Sequence, residues 1–196
     1  MKIYVLRHGQ TSWNVDKKIQ GKQDTELNEI GIRQAYEAKE KFNMLNIDLI
    51  MCSPLKRTKK TAEIINEDKN LNIVYKEELI ERDLGEFEGK DCETEGEDIY
   101  NYYKNESKMK IEPVVELCNR INKLLEDIKN NYKNKSILLV THSGTARAIE
   151  AYFYGIDKDG ELLPENLKNC EIREYELSEN DSKDIINFLN TSNEPI

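Results

Sequence analysis

The chain has 196 residues and a formal net charge of −9, because 38 Asp and Glu residues outnumber 29 Lys and Arg residues. This length suits one domain with a substantial core, and we expect a single domain over residues 1–196. The acidic balance disfavours proteins that bind nucleic acids or membrane surfaces, since those partners are themselves negatively charged.

Short runs of β-branched and aliphatic residues predict five strands. In chain order they are Lys2–Leu6, Asp48–Cys52, Asn72–Tyr75, Ser136–Thr141 and Ile172–Leu177, the last at an edge of the sheet. Amphipathic segments between them predict four helices, over residues 29–43, 54–67, 114–129 and 146–154. Strands that alternate with helices are typical of an α/β fold, here a layered α/β/α sandwich around a mostly parallel sheet.

Two of the helix starts carry capping signals. Asn28 can cap the first helix with its side chain. Ser53 followed by Pro54 places a hydroxyl and a proline at the positions that commonly begin a helix. We therefore expect the second helix to start at Pro54, with Ser53 as its cap.

One segment, residues 91–112, does not fit the alternation because it is rich in acidic residues, Lys, Tyr and Asn. Its position predicts a small lid inserted over one end of the sheet. The acidic run Glu93–Glu97 within it is more typical of a solvated face than of a metal site. The polar C-terminal tail is expected to be partly disordered beyond Leu189.

The cysteines and the start of the chain bear on compartment. Cys52, Cys92, Cys118 and Cys170 are widely spaced, without the CxxC or Cys/His spacing of a metal site. The segment MKIYVLRHG lacks the apolar stretch of a secretory signal, and no apolar run is long enough to cross a bilayer. We therefore expect free thiols, with Cys52 in the core, in a cytoplasmic protein.

The chain has only two histidines, His8 and His142, and each follows directly on a predicted buried strand. A glycine comes within two residues of each. Because ligands bind at the carboxyl ends of strands in an open α/β sheet, this placement predicts that both imidazoles belong to a functional site. The alternative is two histidines with satisfied hydrogen bonds at the mouths of loops.

Two arginines, Arg7 and Arg57, also come at the carboxyl ends of predicted strands. Guanidinium groups suit phosphate oxygens, and helix N-termini present N–H groups that lack helical partners. On an acidic protein this combination predicts a concentrated anion site. Arg57 considered alone is more typical of a surface ion pair, and its place in the sequence favours the functional interpretation.

Five sequence blocks, in order, resemble those of the histidine phosphatase superfamily, in its phosphoglycerate-mutase-like branch. The first is LRHGQTSWN at Leu6–Asn14, and the last is VTHSG at 140–144, followed by Arg147. The others run from Gln20-Gly21 to Gln34-Ala35, from Ser53-Pro54 to Thr61-Ala62, and from Glu81-Arg82 to Glu88-Gly89. The similarity covers about residues 1–155, and five ordered blocks are far more specific than one RHG tripeptide.

The resemblance implies a reaction through a phosphohistidine, with His8 as the nucleophile, its other nitrogen held by a group such as a backbone carbonyl. Arg7, Arg57 and His142 would clamp the phosphoryl oxygens in the transition state. Glu81 would protonate the leaving oxygen and then activate water. The further phosphate-binding positions that the resemblance implies are Asn14, Gln20, Gly21, Ser143 and Gly144. No cofactor and no metal is implied, because the arginines and His142 supply the positive charge.

Members of this family either release the phosphoryl group to water or return it to another hydroxyl. A mutase must also grip a second anionic group of its substrate. The predicted lid contains no arginine, and its lysines, Lys104, Lys108 and Lys110, lie among acidic residues. This charge pattern favours a phosphatase over the alternative, a phosphoglycerate mutase.

The expected partner is a small phosphorylated metabolite, and sugar phosphates, nucleotides and α-ribazole phosphate stay open by analogy with the family. Three lid tyrosines, Tyr100, Tyr102 and Tyr103, either line its pocket or pack the lid onto the body. A third interpretation is a catalytically silent phosphate-binding module. The presence of His8, Glu81 and His142 together disfavours a module without catalytic activity.

Overall fold

The architecture is seen in a computed structural model that describes residues 1–94, 110–155, 162 and 167–178. The strands are β1 (Lys2–Arg7), β2 (Leu49–Cys52), β3 (Ile73–Tyr75), β4 (Ile137–Thr141) and β5 (Ile172–Glu176). The helices are α1 (Ser12–Val15), α2 (Glu29–Met44), α3 (Lys56–Asn66), α4 (Val114–Asn131) and α5 (Ser143–Tyr154). Two short 3₁₀ turns, Glu77–Leu79 and Gly85–Phe87, lie between β3 and α4.

The five strands form one sheet in the order β3-β2-β4-β1-β5. Neighbouring strands are parallel except at one edge, where the edge strand β5 pairs antiparallel with β1. β4 is the central strand, and all five of its residues are buried, as expected when helices cover both faces of a parallel sheet. The predicted mostly parallel α/β sheet is thus confirmed.

Helices pack on both faces of this sheet, and β1 shows how its residues divide between them. Ile3 and Val5 belong to the core cluster that contains the apolar residues of α4 and α5. Tyr4 and Leu6 point the other way, into the cluster shared with α2 and α3. Because successive strand residues alternate between faces, this division gives the three layers that the sequence predicts.

The start of α3 differs from the prediction. The helix begins at Lys56 rather than Pro54, and Ser53 does not cap it. The backbone N–H of Lys56 instead donates to Asp24 Oδ1 at 2.7 Å, while the Ser53 hydroxyl lies 2.8 Å from His142. A carboxylate distant in sequence takes over the capping, and the predicted cap is wrong because its hydroxyl is used elsewhere.

Other predictions about the helices and the cysteines agree better with the structure. Asn28 caps α2 by accepting a hydrogen bond from the Gly31 N–H at 2.8 Å, as predicted. The last helix starts three residues earlier than expected, at Ser143. All four cysteines are free thiols, with Cys52 fully buried.

Most of the predicted lid, from residue 95 to 109, and the tail from residue 179 lie outside the described residues. The lid therefore stays a prediction, as does the single domain over 1–196. The described ends of the lid segment are held by backbone hydrogen bonds, from Cys92 N to Lys17 O at 2.8 Å and from Glu112 N to Asp83 O at 2.8 Å. None of the described helices is both long and apolar enough to span a membrane.

Candidate active site

Two adjacent strands, β1 and β4, bring the two histidines together at the carboxyl edge of the sheet. Arg7 pairs with Thr141 at the end of the parallel register, and His8 N donates to Thr141 O at 3.0 Å. The chain then leaves the sheet at both positions, so the imidazoles of His8 and His142 face the same region. Their ring centroids are 5.2 Å apart.

The His8 imidazole is buried, with 3% of the residue exposed, and its Nδ1 lies 2.7 Å from the carbonyl oxygen of Gly9. A carbonyl only accepts, so Nδ1 carries the proton and the lone pair is on Nε2. Burial lowers the pKa of His8 well below its ordinary value, and the nearby charges of Arg57 and Arg7 lower it further. The ring is therefore neutral at neutral pH.

Arg57, in the first turn of α3, is fully buried and donates from all three of its nitrogens. Nε donates to His142 Nδ1 at 3.1 Å, Nη1 to Gln23 O at 2.6 Å, and Nη2 to Gly21 O at 2.8 Å. Burial lowers its pKa to about 10, against the opposing effect of nearby carboxylates such as Glu81. It still carries its charge at neutral pH.

The His142 ring has a protein partner at each nitrogen. Because Arg57 Nε–H can only donate, Nδ1 is the acceptor and the neutral ring carries its proton on Nε2. That proton points at the Ser53 hydroxyl, 2.8 Å away. Burial lowers the pKa of His142 well below its ordinary value, and the charge of Arg57 lowers it further. In this geometry His142 orients Arg57, whereas the sequence predicts a direct contact with phosphate.

Glu81 lies at the N-terminus of α5. Its Oε2 accepts from Gly144 N at 3.0 Å, and its Oε1 accepts from Thr145 N at 3.0 Å and from Arg82 N at 2.9 Å. A Cβ on Gly144 would lie 2.7 Å from Oε1, so only glycine lets the carboxylate approach this closely. The N–H of Gly144, predicted to bind phosphate, therefore serves Glu81. Ser143 is the first residue of the helix.

A loop between α1 and α2 carries two more of the predicted positions. The carbonyl of Gly21, which has φ +50°, receives Arg57. Gln20 Oε1 accepts from the hydroxyls of Thr11 and Thr25 at 3.0 and 2.8 Å. Gln20 and Gly21 thus support the loop and Arg57 by contacts within the protein.

Asn14, in α1, closes a capping box with Thr11. Its Oδ1 accepts from the Thr11 N–H at 3.0 Å. The amide NH₂ group is then the part of Asn14 suited to an anion. Arg7, the remaining predicted clamp, donates from Nη1 to Leu167 O at 2.8 Å.

A family model described as the histidine phosphatase superfamily (branch 1) matches residues 3–187. The chain belongs to the histidine phosphatase superfamily. It is 38% identical to the uncharacterized phosphatase PhoE of Bacillus subtilis (strain 168) over 178 residues, which cover 90% of this chain and 89% of that protein. Phosphoserine phosphatase 1 of Hydrogenobacter thermophilus is 30% identical over 164 residues, or 80% of this chain and 78% of that one.

The fold agrees with solved structures. Bacillus stearothermophilus YhfR superposes with a TM-score of 0.82 over 93% of this chain and 94% of that one, at 23% identity. At that identity the likeness shows a shared fold. This histidine phosphatase therefore has the architecture of its superfamily over almost its full length.

The sequence did not point to several residues of the site. Ser53 contacts His142, Thr61 accepts from the Gly9 N–H at 3.1 Å, and Asn169 Nδ2 donates to His8 O at 2.9 Å. The Thr145 hydroxyl donates to Ile80 O at 2.7 Å and lies 3.3 Å from Glu81 Oε1. For Ser53 and Thr61 the signal was their place in motif-like blocks, and for Asn169 none was available, because its partner lies 161 positions away.

Proposed function

We propose that this histidine phosphatase hydrolyses a small phosphomonoester through a phosphohistidine on His8. The observation that carries the proposal is the bond from His8 Nδ1 to the Gly9 carbonyl. It directs the lone pair of a buried, neutral imidazole away from the backbone, beside the positive charge of Arg57. A positioned neutral imidazole next to a guanidinium suits attack on an anionic phosphoryl group.

In the first step His8 Nε2 attacks phosphorus and the ester P–O bond breaks. The leaving oxygen takes a proton from the Glu81 carboxyl. Oε2 is the oxygen proposed to carry that proton, because one backbone N–H donates to Oε2 whereas two donate to Oε1. Arg7 and Arg57 stabilise the negative charge that spreads over the phosphoryl oxygens.

In the second step water attacks the phosphohistidine. The Glu81 carboxylate accepts a proton from the water, the N–P bond breaks, and inorganic phosphate leaves. His8 returns to its neutral form, and Glu81 is again protonated for another cycle. His142 acts in both steps by holding the Nε edge of Arg57.

We also propose that the reaction needs no metal, because the two arginines supply the positive charge that a divalent ion would otherwise provide. The four free thiols support a cytoplasmic setting. The name of the Hydrogenobacter thermophilus relative makes phosphoserine a rational first substrate to test. The mutase alternative depends on lid residues that lie outside the described part of the chain.

The experiment is hydrolysis of p-nitrophenyl phosphate in EDTA by the wild type and by His8→Ala. We expect phosphate release by the wild type and its loss in the variant. Phosphoserine and interconversion of phosphoglycerates are assayed in parallel, and mutase turnover faster than hydrolysis would replace the phosphatase proposal. Activity that survives in His8→Ala would show that the nucleophile is another residue.

A further inference from the structure

The peptide unit between His8 and Gly9 is held at both of its polar ends by side chains. Its carbonyl, that of His8, accepts from Asn169 Nδ2 at 2.9 Å. Its N–H, that of Gly9, donates to Thr61 Oγ1 at 3.1 Å. These two side chains come from distant parts of the sequence, 161 and 52 positions from their partners.

The Thr61 hydroxyl is the acceptor in this contact. It donates to the Arg57 carbonyl at 2.7 Å, one turn back in α3, so its oxygen can only accept from Gly9. Thr61 is fully buried, and removal of its oxygen would leave the Gly9 N–H without this partner inside the protein. The same hydroxyl thereby links the catalytic loop to the helix turn that carries Arg57.

Asn169 is presented by a turn that is itself fixed to the end of β1. Cys170 N donates to Arg7 O at 3.0 Å, and Arg7 Nη1 donates to Leu167 O at 2.8 Å. Cys170 has φ +58°, the left-handed conformation that reverses the chain before β5 begins. The turn over residues 167–170 therefore places the Asn169 amide against the His8 carbonyl.

The two angles that flank this peptide unit, ψ of His8 and φ of Gly9, set the place of the Gly9 carbonyl relative to His8 Nδ1. A net change in either angle moves that carbonyl, which belongs to the next peptide unit, away from the ring nitrogen that it holds. Glycine tolerates many such rotations, so the backbone itself does not select one. We propose that Asn169 and Thr61 are positioning residues that clamp the His8–Gly9 peptide and so hold His8 in its Nδ1–H tautomer, with Nε2 aimed at phosphorus.

This inference rests on the proposed function only for the role of His8 as nucleophile, and its test has a readout independent of turnover. The chain has two histidines, so a long-range ¹H–¹⁵N spectrum resolves both rings. We expect the wild type to show His8 as the Nδ1–H tautomer and His142 as the Nε2–H tautomer. His142 serves as the internal reference.

The clamp variants are Asn169→Ala, which removes the donor, and Thr61→Val, which keeps the shape and removes the oxygen. We expect each to give a mixture of His8 tautomers. We also expect each to slow phosphohistidine formation in a single turnover by about 10- to 100-fold, the effect of a small misplacement, with KM changed less than kcat. Combined, they slow it less than the product of the single effects, because both act on one peptide unit.

Two variants serve as controls. Thr61→Ser keeps the hydroxyl and should restore the wild-type tautomer and rate. Lys168→Ala alters the same turn at an exposed side chain and should leave both readouts unchanged. Asn169 is only half-buried, whereas Thr61 is fully buried. Asn169→Ala therefore remains informative even if Thr61→Val fails to fold.

An unchanged His8 tautomer together with an unchanged single-turnover rate in Asn169→Ala would overturn the clamp. A loss of thermal stability without a change in the His8 tautomer would show that Asn169 has only a structural role, and would also overturn it. If the wild type forms no phosphohistidine, the proposed function fails, yet the spectra still decide whether the clamp fixes the ring.

Discussion

The two imidazoles of the site carry their protons on opposite nitrogens, because Nδ1 is a donor in His8 and an acceptor in His142. His8 donates from Nδ1 to a carbonyl, and His142 accepts at Nδ1 from Arg57. Burial and the neighbouring arginine charges lower the pKa of both rings. Both rings are therefore neutral over the whole physiological pH range. The difference in hydrogen bonding separates a ring poised to attack from a ring that orients a guanidinium.

This electrostatic setting makes a prediction for the pH dependence of activity. Because burial lowers the pKa of His8, the enzyme keeps its nucleophile neutral when the pH falls through 6.5, and the acid limb of kcat/KM lies well below that value. The measurement is a pH profile with two substrates whose phosphate groups have different pKa values. An enzyme limb centred near pH 6.5 with both substrates would contradict it.

The position of Glu81 predicts a dependence on the leaving group. Glu81→Gln cannot supply a proton, so we expect a loss of about 10²- to 10⁴-fold with an alkyl phosphate. Measured as kcat/KM, which reports phosphoryl transfer to His8 and not the later attack of water, the loss with p-nitrophenyl phosphate should be much smaller, because p-nitrophenolate leaves without protonation. Glu77→Gln, at an exposed carboxylate nearby, is the matched control. Equal losses of kcat/KM with both substrates would show that Glu81 is not the acid.

At this scale, residue type and strand position predict part of the site. Histidine and arginine at strand ends can be recognised because the carboxyl edge of a parallel sheet collects them. The contact of Ser53 with His142 and that of Asn169 with His8 depend on which strands are neighbours and on turn conformation. Neither the order of the strands nor the conformation of the turn is encoded in the local sequence. The contacts of Ser53 and Asn169 therefore could not be predicted from it.

Among the elements, the contact between α2 and the catalytic loop depends on two glycines. A Cβ on Gly9 would lie 2.5 Å from Gly31 O, and a Cβ on Gly31 would lie 2.1 Å from Gln10 O. Further bonds join the two segments, from Asn28 N to Gln10 O at 3.0 Å and from Gln10 N to Gln34 Oε1 at 2.9 Å. The backbone of the loop therefore rests directly on the start of the helix.

This close approach predicts the effect of Gly31→Ala. Alanine is the better helix former by about 1 kcal/mol, so α2 alone would gain stability. The clash with the Gln10 backbone outweighs that gain, and we expect the free energy of unfolding to fall by about 1–3 kcal/mol. Urea titration measures it, with the exposed Arg33→Ala as control. A variant at least as stable as the wild type would show that the loop moves away without cost.

The elements themselves are largely predictable, and their ends are less so. Strands buried on both faces read as continuous apolar runs, and α4 shows a clear apolar stripe. The ends of α3 and α5 differ from prediction because carboxylates remote in sequence serve their first N–H groups, Asp24 for α3 and Glu81 for α5. Local sequence signals such as Ser53-Pro54 cannot compete with a charged cap supplied by the tertiary structure.

At the scale of the whole molecule, the buried histidines link stability to pH. Their pKa values are lower in the folded protein than the ordinary value near 6.5 that they take when unfolded. Between the folded and unfolded values the unfolded chain binds more protons, so the free energy of unfolding decreases as the pH falls below about 6.5. The stabilisation that depends on the two neutral histidines is fully present above that pH.

The expected slope approaches about 1.4 kcal/mol per pH unit for each histidine. Urea unfolding between pH 7 and pH 5 measures it. His8→Asn retains a side-chain donor near the Gly9 carbonyl but does not titrate. The slope of its unfolding free energy against pH should therefore be smaller by the contribution of one histidine. Stability independent of pH across this range would mean that the rings are accessible to protons in the folded state.

The layered architecture follows from alternation of strands and helices, and its prediction is confirmed by the sheet and its two packed faces. The lid over 91–112 is a different case. Its composition does not fit the alternation of strands and helices and leaves two roles open for its tyrosines, so its arrangement and its effect on substrate choice stay predictions.

The central claim is a covalent phosphohistidine on His8. It is tested most directly by mixing the enzyme with substrate for milliseconds, quenching in alkali, where phosphohistidine survives, and locating the phosphate by peptide mass spectrometry. We predict one phosphate on the peptide that contains His8, absent from His8→Ala and more abundant in Glu81→Gln when p-nitrophenyl phosphate is the substrate. Phosphate on His142, or turnover without any phosphorylated histidine, would contradict the mechanism.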